Sequence, residues 1–170
     1  MAGGARGQQG VIRKCGEGDF DQIWRVVNDG AQVYRGVIPA DRWHEPYMTR
    51  EQLRAEIEAG VHFWGFEEGG LLVGVMGLQD VKDVTLIRHA YVLTSSQRAG
   101  IGGKLMATLA RETHRPLLVG TWAAASWAIG FYQRNGFALV GPDEKDRLLT
   151  TYWSIPEAQR DASVVLVRDA

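Results

Sequence analysis

The chain contains 170 residues, of which 45% are hydrophobic and 23% are charged, and its net charge at neutral pH is −1. These values exclude an intrinsically disordered chain and predict one domain over residues 11–170 that folds without disulfides or a metal. The balanced charge argues against a nucleic acid or an anionic membrane as the partner. Cys15 is the only cysteine, which is compatible with the reducing cytoplasm.

Two further features favour a cytoplasmic protein. Residues 1–10 are rich in Gly, Gln and Ala and lack the apolar run of a signal peptide, so we expect them to be flexible. The longest apolar stretch, Leu71–Leu78, is far too short to cross a bilayer. We therefore expect no association with a membrane.

Hydrophobic periodicity and capping signals predict the elements in chain order. Two helices are predicted to begin at capping pairs, Asp19 with Gln22 and Thr49 with Gln52. The predicted order is a strand over residues 11–15, helices from 19 and 49, strands over 62–66, 71–78 and 84–92, a helix over 100–114, a strand over 117–122, a helix over 126–135, and closing strands over 137–140 and 163–167. Residues 142–156 are interpreted as a lid-like insertion. This order predicts an α+β fold, a mixed sheet with helices on both faces.

A glycine-rich turn lies where the strand ending at Val92 gives way to the helix that begins near residue 100. Its glycines are Gly100, Gly102 and Gly103. They leave backbone N–H groups uncovered, and the first N–H groups of a helix lack partners and lie at the positive end of its dipole. A pyrophosphate is a suitable ligand for such a turn. Arg98 and Lys104 add positive charge nearby.

Other phosphate-binding loops fit this turn poorly. A Walker A loop requires Ser or Thr after its Gly-Lys pair, and here Leu105 follows Lys104. The dinucleotide fingerprint requires a third glycine at the position of Leu105. A purely structural role, in which the glycines only permit tight packing, remains an alternative.

Two segments carry a resemblance to a known family. Gln97–Gly102, QRAGIG, resembles the Q/R-x-x-G-x-G/A signature of the GNAT superfamily of N-acetyltransferases. Ala128–Phe137 is similar to the family's A-x-x-F-Y-x-x-x-G-F segment and follows at the proper distance. One departure is Ala125, where the family often has an Asn that binds the pantetheine arm. The resemblance covers most of the chain.

The resemblance implies a mostly antiparallel, strongly twisted sheet of about six to seven strands, with acetyl-CoA as co-substrate and no metal. It implies transfer of an acetyl group to a primary amine by direct attack in a ternary complex. Backbone N–H groups beside a β-bulge at Tyr91-Val92 would polarise the thioester, and Tyr132 would act as general acid at the CoA sulfur. The residues expected to bind the cofactor are Tyr91, Val92, Leu93, Gln97, Arg98, Ala99, Gly100, Ile101, Gly102, Gly103, Lys104 and Phe131.

The general base and the acceptor pocket are less determined. His89 has a suitable intrinsic pKa for a base and lies on the strand that leads to the thioester. Glu45, Glu58, His44 and a water-mediated route remain alternatives to it. The residues expected to form the acceptor pocket are Tyr34, Trp43, His44, Glu45, Tyr47 and Trp153. Trp122 and Trp127 are expected to line the CoA channel.

Two other functions remain open. One is a non-catalytic module that binds CoA as a sensor or scaffold, and the other is a nucleotide-binding protein. Small polyamines, amino acids, aminoglycosides, peptide N-termini and protein lysines all remain possible acceptors. A homodimer through the closing strand 163–167 is also expected to be feasible, because an exposed apolar edge favours pairing.

Overall fold

The computed structural model describes residues 10–97 and 99–170, which form a seven-stranded sheet and six α-helices. The strands are β1 Val11–Lys14, β2 His62–Glu68, β3 Leu71–Val81, β4 Val84–Val92, β5 Leu117–Trp122, β6 Ala138–Leu139 and β7 Ser163–Arg168. The helices are α1 Phe20–Gly30, α2 Arg50–Glu58, α3 Ile101–Leu109, α4 Ser126–Arg134, α5 Pro142–Tyr152 and α6 Glu157–Asp161. Residues 1–10 were predicted to be flexible, and all of them except Gly10 lie outside the described residues.

The strands lie in the order β1-β2-β3-β4-β5-β7-β6. Neighbouring strands are antiparallel except for β4 and β5, which are parallel. The fold class is therefore confirmed: the sheet is mixed and mostly antiparallel, and helices cover both of its faces. Alternating residues of β5 show this directly, since Leu117 and Val119 pack with α3 while Leu118 packs with α5.

Local chemistry accounts for several element boundaries. The Thr49 hydroxyl accepts from the Gln52 N–H at 3.1 Å, and the Gln52 side chain accepts from the Thr49 N–H at 2.8 Å, which confirms the predicted capping box of α2. Gly69 and Gly70 both have positive φ, as the tight turn between β2 and β3 requires.

The capping pair predicted for α1 is wrong. The Asp19 carboxylate makes no capping bond to α1; it accepts from the Gly16 N–H at 2.8 Å, one turn earlier. The Gln22 side chain instead accepts from the Leu72 N–H of β3 at 2.7 Å. Because Gln22 lies in the first turn of α1, this bond connects the start of the helix to the start of β3.

Two predictions about the end of the chain are also wrong. Residues 142–156 do not form a lid, because α5 buries Leu148 and Leu149 against β5 and β7. The closing strand β7 is not an edge, because it pairs with β5 on one side and β6 on the other. The edges of the described sheet are β1 and β6. The structure therefore gives no support to a dimer through β7.

Candidate active site

A cavity of about 590 Å³ opens beyond the point where β4 and β5 stop pairing. These parallel strands pair only at Thr85 with Leu117 and at Leu86 with Leu118 within the described chain. Past these positions the cavity is bounded by the end of α1, the end of β4, the first turn of α3 and one face of α4. Its lining residues include Gly30, Tyr34, Ala90, Tyr91, Val92, Gln97, Gly100, Ile101, Gly102, Gly103, Trp127, Phe131, Tyr132, Arg134 and Asn135.

A β-bulge shapes the wall of the cavity that β4 provides. Gly77 pairs with Arg88 and Val75 pairs with Tyr91, so β4 contains one residue more than β3 between these pairs. The bulge lies at His89 and Ala90, two residues before the position expected from the resemblance, and His89 has a φ of +53°. A bulge bends its strand and redirects the side chains that follow. It thereby directs the last residues of β4 along the cavity.

The start of α3 presents backbone donors to the same cavity. Gly100 caps the helix with a φ of +76°, a left-handed conformation that glycine adopts without strain. The first helical bond runs from the Lys104 N–H to the Gly100 carbonyl at 3.1 Å, so the preceding N–H groups have no helical acceptor. A Cβ at Gly102 would lie 3.1 Å from the ring of Phe131, which shows how closely α4 approaches this turn. These donors and this narrow cradle fit the diphosphate of CoA.

Tyr132 is the buried phenol on the α4 side of the cavity. It is 7% exposed and packs against Phe131 and Phe137, with ring centroids 5.1 Å and 5.5 Å away. Burial raises the pKa of Tyr132 above its usual value of 10.0, and the phenol of Tyr34 raises it further. At neutral pH the side chain is therefore protonated and can act as a hydrogen-bond donor.

Most of the predicted cofactor residues meet at the cavity. Those that line it are Tyr91, Val92, Gln97, Gly100, Ile101, Gly102, Gly103 and Phe131. Leu93 packs instead against the two hydrophobic clusters on either side of the sheet. Ala99 and Lys104 face a separate groove, where the Lys104 ammonium lies 5.8 Å from the centroid of the Phe66 ring. Arg98 lies outside the described residues.

His89, the predicted base, is not among the residues that line the cavity. Its side chain points toward α2, where Nε2 lies 3.3 Å from a Glu56 carboxylate oxygen, and its ring stacks on Phe63. The same carboxylate accepts from Arg88 at 3.0 Å. The cause is the bulge, whose positive φ at His89 turns the side chain away from the site. The structure thus does not bring His89 to Tyr132.

The predicted acceptor residues separate into three groups. Tyr34 lines the cavity. The ring of Tyr47 lies next to that of Tyr34, and the ring of Trp43 lies next to that of Tyr47, so the three form a continuous row. His44 and Glu45 are exposed, as is Glu58 on α2. Trp153 is separated from the cavity. Its ring packs with residues of α5 and β5, and a Cβ added at Gly120 would lie about 3.5 Å from it.

Sequence reasoning did not identify several residues that line the cavity, among them Gly30, Arg134 and Asn135. The last two share a face of α4 with residues already singled out, at positions 127, 128, 131 and 132. Helical spacing from Tyr132 was therefore an available signal for Asn135. Gly30 carried no such signal. Its lack of a side chain allows α1 to pack closely on Tyr91 of β4, because a Cβ at Gly30 would lie 2.8 Å from the Tyr91 side chain.

Comparison with known proteins identifies the family. A family model described as an acetyltransferase (GNAT) domain matches residues 26–151. The chain belongs to the GNAT acetyltransferase family. No curated protein sequence matches it significantly.

Solved structures share the fold at low sequence identity. An acetyltransferase from Streptococcus agalactiae is 16% identical with a TM-score of 0.70, over 96% of this chain and 99% of the other. The PaiA N-acetyltransferase from Thermoplasma acidophilum, solved in complex with coenzyme A, is 16% identical with a TM-score of 0.69, over 95% and 99% of the two chains. N-acetylglutamate synthase from Neisseria gonorrhoeae, complexed with coenzyme A and N-acetyl-glutamate, is 23% identical with a TM-score of 0.63, over 94% of this chain and 34% of the longer enzyme.

None of the described helices is long and apolar enough to cross a membrane. Within residues 10–97 and 99–170, no three His, Cys, Asp or Glu side chains are grouped so that they could hold a metal ion.

Proposed function

We propose that this chain transfers the acetyl group of acetyl-CoA to a primary amine in a ternary complex. The observation that carries the proposal is that one cavity is lined both by the free N–H groups of α3 and by the protonated phenol of Tyr132. The fold similarity to the PaiA N-acetyltransferase, whose structure contains coenzyme A, supports the same co-substrate.

The first turn of α3 binds the diphosphate of the co-substrate. The N–H groups of Ile101, Gly102 and Gly103 are unpaired within the helix and lie at the positive end of its dipole. Arg134 is the charged residue among the described residues that line the cavity, and its cation complements the same anion. From this turn the cavity continues toward Val92 and Tyr132, so we expect the acyl end to lie next to β4.

Acetyl-CoA supplies an acyl group activated as a thioester. The backbone at the end of β4, with Val92 as the proposed donor, polarises the acyl carbonyl. The amine nitrogen forms a C–N bond to the acyl carbon as the C–S bond breaks, and the thiolate receives a proton from Tyr132. Because the pKa of Tyr132 is raised and that of a thiol is about 8.5, full proton transfer is uphill by more than about 2 kcal/mol. A strong hydrogen bond from Tyr132 therefore stabilises the thiolate; the proton is transferred as products leave, and the phenolate of Tyr132 takes a proton back from solvent.

The proton of the amine leaves by water in this proposal. A lysine-like amine has a pKa of about 10.4, so only roughly one molecule in a thousand is neutral near pH 7. His89 is held against Glu56 and Phe63, away from the cavity. A water path to solvent therefore agrees better with the geometry than direct abstraction by His89, which instead helps to hold the bulge.

The test is release of CoA thiol from acetyl-CoA with a panel of primary amines, followed by mass spectrometry of the product. Steady release with an N-acetylated product is the expected result. Tight CoA binding without turnover on any amine would instead indicate a non-catalytic CoA sensor.

A paired variant tests the diphosphate site. Gly102→Glu places bulk and negative charge between α3 and Phe131, so we expect CoA binding to be lost in isothermal titration calorimetry. Gly18→Glu makes the same chemical change where nothing lies within 4 Å of the new Cβ, and it should bind CoA normally. Normal affinity in Gly102→Glu would mean that the turn does not hold the diphosphate.

A further inference from the structure

Five aromatic residues form a continuous surface beside the cavity, called here the aromatic wall: Tyr34, Trp43, Tyr47, Tyr91 and Trp127. Tyr34 is at its centre, with centroid distances of 5.6 Å to Trp127, 6.2 Å to Tyr91 and 6.3 Å to Tyr47. Trp43 extends the row outward, 5.8 Å from Tyr47. Tyr34, Tyr91 and Trp127 also line the cavity that contains Tyr132. The aromatic wall therefore continues directly from the proposed thioester site.

Hydrogen bonds hold the aromatic wall in place. The Asn28 side chain on α1 accepts from the Met48 N–H at 2.8 Å and donates to the Met48 carbonyl at 3.1 Å. Trp24 donates to the same carbonyl at 2.8 Å. These bonds fix the chain immediately after Tyr47. The surface is thus preorganised, which reduces the entropic cost of binding a flat ligand.

The charge of this surface restricts what it can bind. Burial and the nearby phenol of Tyr47 raise the pKa values of both Tyr34 and Tyr91, so these phenols are neutral at pH 7. No carboxylate is among the described residues that line the cavity. Two acids lie two residues from the wall in sequence, Asp41 and Glu45, and both are exposed; Glu45 accepts from the Trp43 indole at 3.3 Å and lies 3.6 Å from Arg35. Within the described cavity lining, a second ammonium group on the acceptor would meet no carboxylate, and the one lining cation, Arg134, is already assigned to the diphosphate.

We infer that the acceptor is a primary amine carried on a flat, aromatic body, such as an arylalkylamine, which stacks on the aromatic wall with its nitrogen directed toward Tyr132. This inference rests on the proposed acetyl transfer and names its substrate class. Aromatic faces attract the ring of such an acceptor by offset or edge-on packing. An apolar surrounding also lowers the pKa of a bound amine, because desolvation disfavours the charged form. The wall therefore raises the neutral, nucleophilic fraction of the amine without a carboxylate base.

The test compares three amines of different chemistry with the intact chain: 2-phenylethylamine, spermidine and glutamate. We expect kcat/KM for 2-phenylethylamine to exceed the values for the other two by about ten-fold or more. Tyr47→Ala should lower kcat/KM for 2-phenylethylamine about ten-fold, because it removes stacking beyond the cavity, while the KM for acetyl-CoA stays within about two-fold. Tyr152→Ala, which removes a half-buried tyrosine of α5, is the matched control and should retain the amine preference.

The outcomes separate the inference from the proposed function. Turnover of spermidine or glutamate at least equal to that of 2-phenylethylamine overturns the substrate class but supports acetyl transfer. If no amine is acetylated, the proposed function is overturned. Saturation-transfer NMR of 2-phenylethylamine, recorded with the protein and CoA in the same sample, then tests whether the aromatic wall binds this amine. Binding that is lost in Tyr47→Ala supports the aromatic wall as a site for arylalkylamines, and no binding to the unchanged protein overturns it.

Discussion

Tyr132 combines two properties that a proton donor to a leaving thiolate needs. It lines the cavity, and burial raises its pKa, so it stays protonated across the range in which an amine becomes nucleophilic. Tyr132→Phe keeps the ring packed against Phe131 and Phe137 while removing the hydroxyl. We expect kcat to fall by ~10²-fold with the KM for acetyl-CoA little changed, measured by steady-state thiol release.

The control for this variant is Tyr152→Phe, whose hydroxyl donates to Asp83 on the surface at 2.6 Å. It removes a phenol hydroxyl outside the cavity and should leave kcat unchanged. Unchanged turnover in Tyr132→Phe would remove Tyr132 from the mechanism.

Asp19 makes the folded state sensitive to acid. Arg13 donates to both of its oxygens, at 2.8 Å and 2.9 Å, and holds the pKa of the Asp19 carboxyl at about 2 against a usual 3.8. The pKa is lower in the folded chain than in the unfolded chain, so this stabilisation is complete above about pH 4 and is lost as the pH falls toward 2. Asp19→Asn should lower the free energy of unfolding at pH 7 by about 2 kcal/mol.

Urea denaturation at several pH values checks this prediction. In Asp19→Asn the loss of stability between pH 4 and pH 2 should be smaller than in the unchanged chain. Asp169→Asn, at an exposed position near the C-terminus, should change neither the stability nor its pH dependence. A steep acid loss that persists in Asp19→Asn would show that another group is responsible.

At the residue scale, the sequence predicted which residues belong to the site better than it predicted where their side chains point. Tyr132 and the glycines of α3 are recognisable because their chemistry is tied to a short motif. His89 was assigned to the site because it lies on the correct strand, but one extra residue in β4 turns its side chain to the opposite side. The resemblance implied a bulge two residues later in β4, but the exact position depends on how the two strands pair, which no local pattern in either strand reports.

At the scale of elements, Glu56 connects α2 to the bulge of β4. Its carboxylate accepts from Arg88 at 3.0 Å and 3.2 Å and lies 3.3 Å from His89 Nε2. His89 and then Arg88 lower the pKa of Glu56, although burial opposes them. A non-glycine residue at positive φ costs free energy, and such strain persists only where surrounding contacts hold it. Glu56 supplies those contacts from a separate element.

Glu56→Gln should therefore weaken the contacts that hold the bulge, without leaving a cavity where the Glu56 side chain lies. We expect the free energy of unfolding at pH 7 to fall by about 1–2 kcal/mol, because a charged hydrogen bond to Arg88 becomes a neutral one. Amide hydrogen exchange at Ala90–Val92 should become faster. Glu58→Gln, on the exposed side of the same helix, should change stability by less than about 0.5 kcal/mol. Equal effects of the two variants would exclude a special role for Glu56.

Elements with strong local signals were the predictable ones. The glycine turn between β2 and β3 and the Thr49 capping box depend on residues within four positions of each other. The position of β7 between β5 and β6, and the packing of α5 on the sheet, depend on contacts between distant segments. Residues 142–156 have a helical start at Pro142 but gave no sign of which surface Leu148 and Leu149 would bury.

At the scale of the molecule, the sheet consists of two parts joined by few bonds. One part is β1 to β4, and the other is β5, β7 and β6; between them the described strands pair at only two positions. The cavity occupies the space where that pairing stops, and α3 and α4 border it. A family likeness could be predicted from two motifs, but this separation could not, because it depends on which distant segments pair and where that pairing stops.

A ligand in this cavity contacts both parts and should stabilise the molecule as a whole. If CoA binds only the folded chain, a concentration of about 100 times its Kd adds about 2.7 kcal/mol to the free energy of unfolding. For a chain of this size that corresponds to a rise in Tm of about 5–10 °C. Hydrogen exchange should slow most at the end of β4, the start of α3 and along α4, and least at the distant edge strand β1. ATP is the control, since it carries phosphates and an adenine but no pantetheine arm to lie along β4 toward Tyr132. A shift with ATP as large as that with CoA would indicate a nucleotide site and contradict the acetyl-CoA cavity.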